Sequence, residues 1–288
     1  MFKKILILVL ALSVLSCSKD DDNVPATATL TLNFNALEAL GSDYVYEGWI
    51  IVNGQPVSTG TFNDVNFPKS FEVDATQLEM ATTFVLSIEP AIDPDPAPAA
   101  TKILAGDFAG NTATVNSNGI VGDFSGSAGT YILATPTDSD NSNEASGVWF
   151  LDNSSGSAVA GLNLPNLNDG WKYEGWAVID GMPVSTGTFT DVAGFDDNAM
   201  TSMFKGSEGD GPPFPGEDFL QNAPAGLTFP TDLKGTTIVI SVEPYPDNSP
   251  NPFTLKPLAH MVPNNAADHT AISMGAGPVV SLSGTASR

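Results

Sequence analysis

The chain has 288 residues and a formal net charge of −23, from 33 acidic and 10 basic side chains, and it contains a single cysteine. A surface this acidic repels phosphate backbones and anionic headgroups, so no nucleic-acid partner is expected. One cysteine rules out an intrachain disulfide framework, and stability must come from a buried core.

In chain order, Lys3 and Lys4 precede an apolar run from Ile5 to Leu15. Eleven residues are too few for a comfortable bilayer span and suit the core of a signal peptide. Val14 to Cys17, V-L-S-C, resembles the lipobox of bacterial lipoproteins. That resemblance implies a signal peptide over 1–16, cleavage before Cys17, and a diacylglycerol lipid on the Cys17 thiol. Residues 17–27 form an acidic tether. Its Lys19-Asp20-Asp21-Asp22 is similar to the surface-export signal of Bacteroidota lipoproteins, which implies an outer-membrane, cell-surface location. No later stretch is long and apolar enough to read as a membrane helix.

The rest of the chain repeats itself. Tyr46 to Val65 reads YEGWIIVNGQPVSTGTFNDV and Tyr173 to Val192 reads YEGWAVIDGMPVSTGTFTDV, identical at fourteen of twenty positions with an offset of 127. A second block pairs TTFVLSIEP from Thr82 with TTIVISVEP from Thr236 at an offset of 154, leaving 27 extra residues in the second half. A fainter echo pairs Phe124 to Ala128 with Leu282 to Ala286. Such ordered matches predict two homologous modules. Each block reads as β-structure. Asn53-Gly54 and Asp180-Gly181 tolerate positive φ and predict tight hairpin turns. Pro56 and Pro183 open the returning strands, where no ladder donor is needed. Pro90 and Pro244 close the second block, and a short strand follows each proline-rich loop. Strands are also expected at Gly129 to Asp138 and Ala145 to Asp152, with single helical turns at Ala36 to Leu40 and Asp74 to Met80.

The expected fold is all-β, with two tandem homologous β-sandwich modules packed together. Their predicted bounds are 28–127 and 128–288, with an insertion near 193–233 in the second. Phe204, Phe214, Phe219 and Leu220 predict that the insertion packs against the body.

Sites of chemistry are sparse. His260 and His269 stand outside any G-x-S-x-G or H-E-x-x-H motif, so no enzyme is expected. Glu47, Glu174, Glu89 and Glu243 are duplicated carboxylates. They read either as caps on backbone N–H groups and partners for Lys102 and Lys256, or as the acid and base of a glycan-processing hydrolase. Asp138, Asp140 and Glu144 alternate oxygen ligands in the loop Thr137 to Glu144 and are the candidate calcium ligands; no other cofactor is expected. Trp49 and Trp176 are repeated and read as core, whereas Trp171 reads as the best candidate for an exposed contact.

The pattern Y-x-x-W-x-x-x-x-G-x-P-x-x-x-G-x-F followed by a strand ending in Glu-Pro resembles the extracytoplasmic domain of anti-sigma-K factors. The matching residues are Tyr46, Trp49, Gly54, Pro56, Gly60, Phe62, Glu89 and Pro90, and again Tyr173, Trp176, Gly181, Pro183, Gly187, Phe189, Glu243 and Pro244. An anti-sigma factor also needs a cytoplasmic helical domain and a transmembrane helix, and neither is legible here. The resemblance therefore implies a β-sandwich fold and not transcriptional control. The expected role is non-catalytic: binding of an extracellular glycan or protein, adhesion, or envelope architecture. An accessory sensor beside a separate transmembrane anti-sigma factor is the other alternative. Cys17→Ser should abolish incorporation of labelled fatty acid in the producing cell and release the protein from the membrane fraction.

Overall fold

The computed structural model describes residues 26–247 and 249–288. The expected signal peptide, Cys17 and the charged part of the expected tether lie outside them. The first half contains β1 (Thr27–Asn35), β2 (Tyr44–Val52), β3 (Gln55–Phe62), β4 (Lys69–Asp74), α1 (Ala75–Met80), β5 (Thr83–Pro90), β6 (Lys102–Ala109) and β7 (Thr112–Asn116). Next come β8 (Ala128–Leu133), β9 (Gly147–Trp149), β10 (Leu151–Asp152), β11 (Val159–Ala160) and β12 (Leu162–Asn163). The second half continues with β13 (Trp171–Ile179), β14 (Met182–Phe189), β15 (Gly216–Asp218), β16 (Thr237–Pro244) and β17 (Lys256–Met261). It ends with β18 (Ile272–Ser273), β19 (Gly275–Val279) and β20 (Ser283–Ser287). The fold is an all-β sandwich, and every strand pair is antiparallel.

The repeated blocks build the same ladder twice. One sheet runs β3-β2-β5-β6-β7-β20-β1-β4 and another runs β14-β13-β16-β17-β19. Both predicted hairpin turns form: Asn53 and Gly54 have φ of 52° and 78°, and Asp180 and Gly181 have 50° and 82°. Two positive φ values in a two-residue loop match the right-handed twist of the flanking strands. Pro56 and Pro183 lie on β3 and β14, the sheet edges, where a missing N–H costs no ladder bond. The same bulge interrupts both hairpins, between Gly48 and Trp49 and between Gly175 and Trp176. Thr59 and Thr186 are the extra residues, buried with hydroxyls that have no hydrogen-bond partner among the described residues. They lie against Gly48 and Gly175.

One continuous core joins the two halves, from Leu30, Tyr46 and Phe84 through Tyr131 and Phe150 to Tyr173, Ile240 and Leu258. The last strand contributes to the join. β20 pairs with β1 on one side and β7 on the other, so the C-terminus completes the N-terminal sheet. The faint sequence echo at Phe124 to Ala128 does not take this role; it is turn leading into β8. Of the two expected helical turns, α1 forms, with the Asp74 carboxylate accepting from the Gln77 N–H at 2.9 Å. Ala36 to Leu40 is loop, entered through Ala36 at φ 62°. The insertion packs as expected: Phe219 is fully buried in a cluster with Phe204 and Phe229, and β15 pairs with β9.

The bulge glycines are the tightest shared feature of the two ladders. A Cβ on Gly48 would meet Thr59 Oγ1 at 2.5 Å and the Phe84 ring at 3.3 Å, and one on Gly175 would meet Thr186 Oγ1 and the Phe150 ring. Gly48→Ala and Gly175→Ala should each destabilise by about 1–3 kcal/mol in urea denaturation. Gly119→Ala, with open space around the glycine, should leave the midpoint unchanged.

Candidate functional site: a cavity between the repeats

The site begins with strand alternation. On β2 and β5 the residues that face away from the core include Glu47, Trp49, Ser87 and Glu89; on β13 and β16 they are Glu174, Trp176, Ser241 and Glu243. The register sets Glu47 opposite Ser87 and Glu174 opposite Ser241. The Trp49 indole N–H donates to Ser87 Oγ at 2.8 Å, and Trp176 donates to Ser241 Oγ at 2.7 Å. Each serine hydroxyl donates in turn to a glutamate, Ser87 to Glu89 and Ser241 to Glu243. Across the hairpin, Ser58 donates to Glu47 and Ser185 to Glu174.

The second carboxylate then reaches the proline-rich loop. Ala99 N–H donates to Glu89 at 2.8 Å, and Phe253 N–H donates to Glu243 at 2.9 Å. Lys102 Nζ donates to the Ala99 carbonyl at 2.9 Å, and Lys256 Nζ donates to the Phe253 carbonyl. The capping reading of the duplicated glutamates is thus what the geometry supplies, while the lysines bind the loop backbone. One difference separates the copies. Both oxygens of Glu243 lie within reach of Phe253 N–H, whereas Glu89 Oε2 is buried without a partner among the described residues.

These stapled loops wall a cavity of about 520 Å³. Its lining comes from the loop before β2, from the loop between β16 and β17, and from the end of the loop between β5 and β6. Contacts cross between the halves at equivalent positions. Tyr44 Oη donates to the Pro246 carbonyl at 3.3 Å, and Trp171, its counterpart in the repeat, donates through Nε1 to the Lys102 carbonyl at 3.2 Å. Thr254 Oγ1 donates to the Ala36 carbonyl at 2.9 Å. Trp171 therefore does not offer the exposed contact expected of it. It is 3 % exposed and packs on Phe253, because its strand end faces the other repeat. Trp49, Trp149 and Trp176 are buried as well.

The cavity wall is acidic. Glu38, Asp43, Glu243 and Asp247 line it, and among the described residues no Lys, Arg or His does. One oxygen each from Glu174, Glu243 and Asp247 lie within 4.8 Å of one another, the geometry of a potential cation site. Burial pushes Glu243 up to about 8, with Glu174 and Asp247 adding to the rise and the bonds from Ser241 and Phe253 opposing it. Burial likewise raises Glu174 to about 7 and Glu38 to about 7, the latter in spite of Lys256. The sequence pointed to Glu174 and Glu243 but to neither Glu38 nor Asp247. Asp247 had a signal, since Asp93 stands at the matching position of the first repeat. Glu38 had none, because its loop meets the second repeat only in the folded molecule.

In the expected calcium loop each of the three acids accepts hydrogen bonds from within the loop or beside it. Asp138 accepts from Asp140 N–H at 3.2 Å and from Asn143 at 2.7 Å. Asp140 accepts from the Ser142 N–H at 2.9 Å and hydroxyl at 2.6 Å. Glu144 accepts from Thr135 N–H at 2.9 Å and faces His269 at 3.2 Å. His260 is bonded to Tyr131 Oη at 3.0 Å. A second buried acidic group, Asp196, Glu217 and Asp218, is engaged by donors from Gly216, Ser202, Thr137 and Trp149, and ties the insertion to β9. No protein-family profile, curated protein or solved structure matches this chain.

An acid whose folded pKa lies above its unfolded one keeps a proton that the unfolded chain has lost. Stability is then full below the unfolded value, near 4.5, and falls as pH rises toward the folded value. Glu38, Glu174, Glu217 and Glu243 all share this direction. Thermal melting should therefore be highest near pH 5 and decline to about pH 8. Glu243→Gln should flatten part of that decline, by on the order of 1 kcal/mol at pH 8.

Proposed function

We propose that the protein is a non-catalytic, ligand-binding lipoprotein, held at the outer surface of the envelope by the lipid on Cys17, with the cavity between its repeats as the binding site. The observation that carries this reading is the cavity itself. Its volume falls in the range of small-ligand pockets, and it lies at a junction between homologous units, a common location for such sites. Apolar surface from Leu40, Ile88 and Phe253 alternates there with a few carboxylates. The duplicated glutamates favour binding over hydrolysis: Glu89 and Glu243 are occupied by fixed serine and backbone donors that hold the loops in shape.

The soluble part from Asn23 onward should bind small molecules in a thermal-shift screen that includes oligosaccharides, organic cations and calcium. Ala39→Trp and Ser249→Trp, both exposed wall positions, should reduce the affinity of any true cavity ligand at least tenfold. Ligands that bind both variants as tightly as the parent chain would place the site elsewhere.

A further inference from the structure

The two ends of the pseudo-symmetric junction are not alike. Beside the proline-rich loop of the first repeat lies a shallower hollow lined by Lys102, Ile120, Leu167, Asn168 and Asp169. Its wall carries one cation and one acid. Beside the proline-rich loop of the second repeat lies the larger cavity, with four acids and, among the described residues, no cation on its wall. The difference traces to particular positions. Glu38 and Asp43 correspond to Pro165 and Gly170 at the repeat offset, so the first-repeat loop carries two acids where its counterpart carries one, Asp169. Tyr46 Oη donates to the Glu38 carbonyl at 2.9 Å, as Tyr173 does to Pro165 at 2.6 Å, so both loops are held by the same tether. The acidic wall is thus a difference in side chains on one conserved frame.

Resting on the cavity reading above, we propose that this cavity takes a small organic cation, a molecule with one or more protonated primary amines on a short carbon skeleton. Three features of the cavity select this class. Acids line it from both halves of the chain, Glu38 from the first and Asp247 from the second, and Asp247 raises the cost of ionising Glu38, a cost that a bound ammonium would offset. Lys256 stands near Glu38, but its ammonium is directed to the Phe253 carbonyl. The remaining wall, with Leu40, Ile88 and Pro90 among it, gives a carbon chain apolar surface that a bare ion would not use. Aromatic rings complete the set: Tyr44 and Phe253 line the cavity, and ring faces attract ammonium groups, as the Tyr245 ring beside them does with Lys172 Nζ 4.1 Å from its centroid.

Isothermal titration of the soluble chain with spermidine at low ionic strength tests this. We expect one site per chain, at least tenfold weakening in the Glu38→Gln/Asp247→Asn double variant, and weak binding of spermidine acetylated at both ends. The double variant Glu79→Gln/Glu208→Gln removes the same charge away from the cavity and should bind as the parent does. Equal weakening in both double variants would reduce the effect to the overall charge of the chain and overturn the proposal. Absence of spermidine binding, or calcium binding at Glu38 and Asp247 in its place, would also overturn it. In either of those cases the Ala39→Trp and Ser249→Trp variants report separately on the cavity: if they block another ligand, only the amine class falls.

Discussion

A buried carboxylate that reaches from a strand to a loop organises this molecule. Glu243 is 1 % exposed, yet its oxygens meet a serine hydroxyl and a backbone N–H, so the cost of taking the group out of water is offset by hydrogen bonds. The indole of Trp176 holds the serine, and the strand register holds the indole. The loop that follows Pro244 is rich in proline and glycine-free turns, with little ladder of its own. Its conformation therefore depends on this contact and on Lys256 clamping the same residue from the other side. Glu89, Ser87, Trp49 and Lys102 repeat the arrangement in the first half.

The same network gives the cavity its shape and its charge. The carboxyl group that holds the loop places an acid beside the cavity, and Asp247 and Glu38 extend that acidic lining. Burial is the main reason that Glu38, Glu174 and Glu243 all move upward, and Asp247 adds to the rise of each. The first repeat shows the frame with less of this consequence, since its loop faces a wall carrying Lys102 and Asp169.

Much of the ladder was legible in the residues. Asn53-Gly54 and Asp180-Gly181 specify their turns through local backbone sterics, and the β-branched runs of β5 and β16 specify strands through their side-chain shape. The capping role of Glu89 and Glu243 was also open to reading, because the partner N–H groups lie only ten residues on. Trp171 was misread as an exposed contact. Its position at a strand end looks solvent-facing until the other repeat is set against it, and that docking involves residues some seventy positions away. The placement of β20 between β1 and β7 was likewise hidden, since Ser283 to Ser287 has small residues and little apolar pattern and is held as a strand by ladder bonds to both neighbours.

By itself the sequence determined what short-range physics can specify: the hairpins, the repeated strands, the absence of disulfides, and the carboxylates that staple each loop to its own repeat. Tertiary structure alone decided how the repeats face one another, which loop covers which carboxylates, and that acid gathers at one end of the junction and not at the other. The reason is physical. A turn or a cap is fixed by contacts across a few residues, whereas Glu38 becomes part of an acidic wall only when a continuous core has brought its loop, more than two hundred residues before Asp247, to that carboxylate's side.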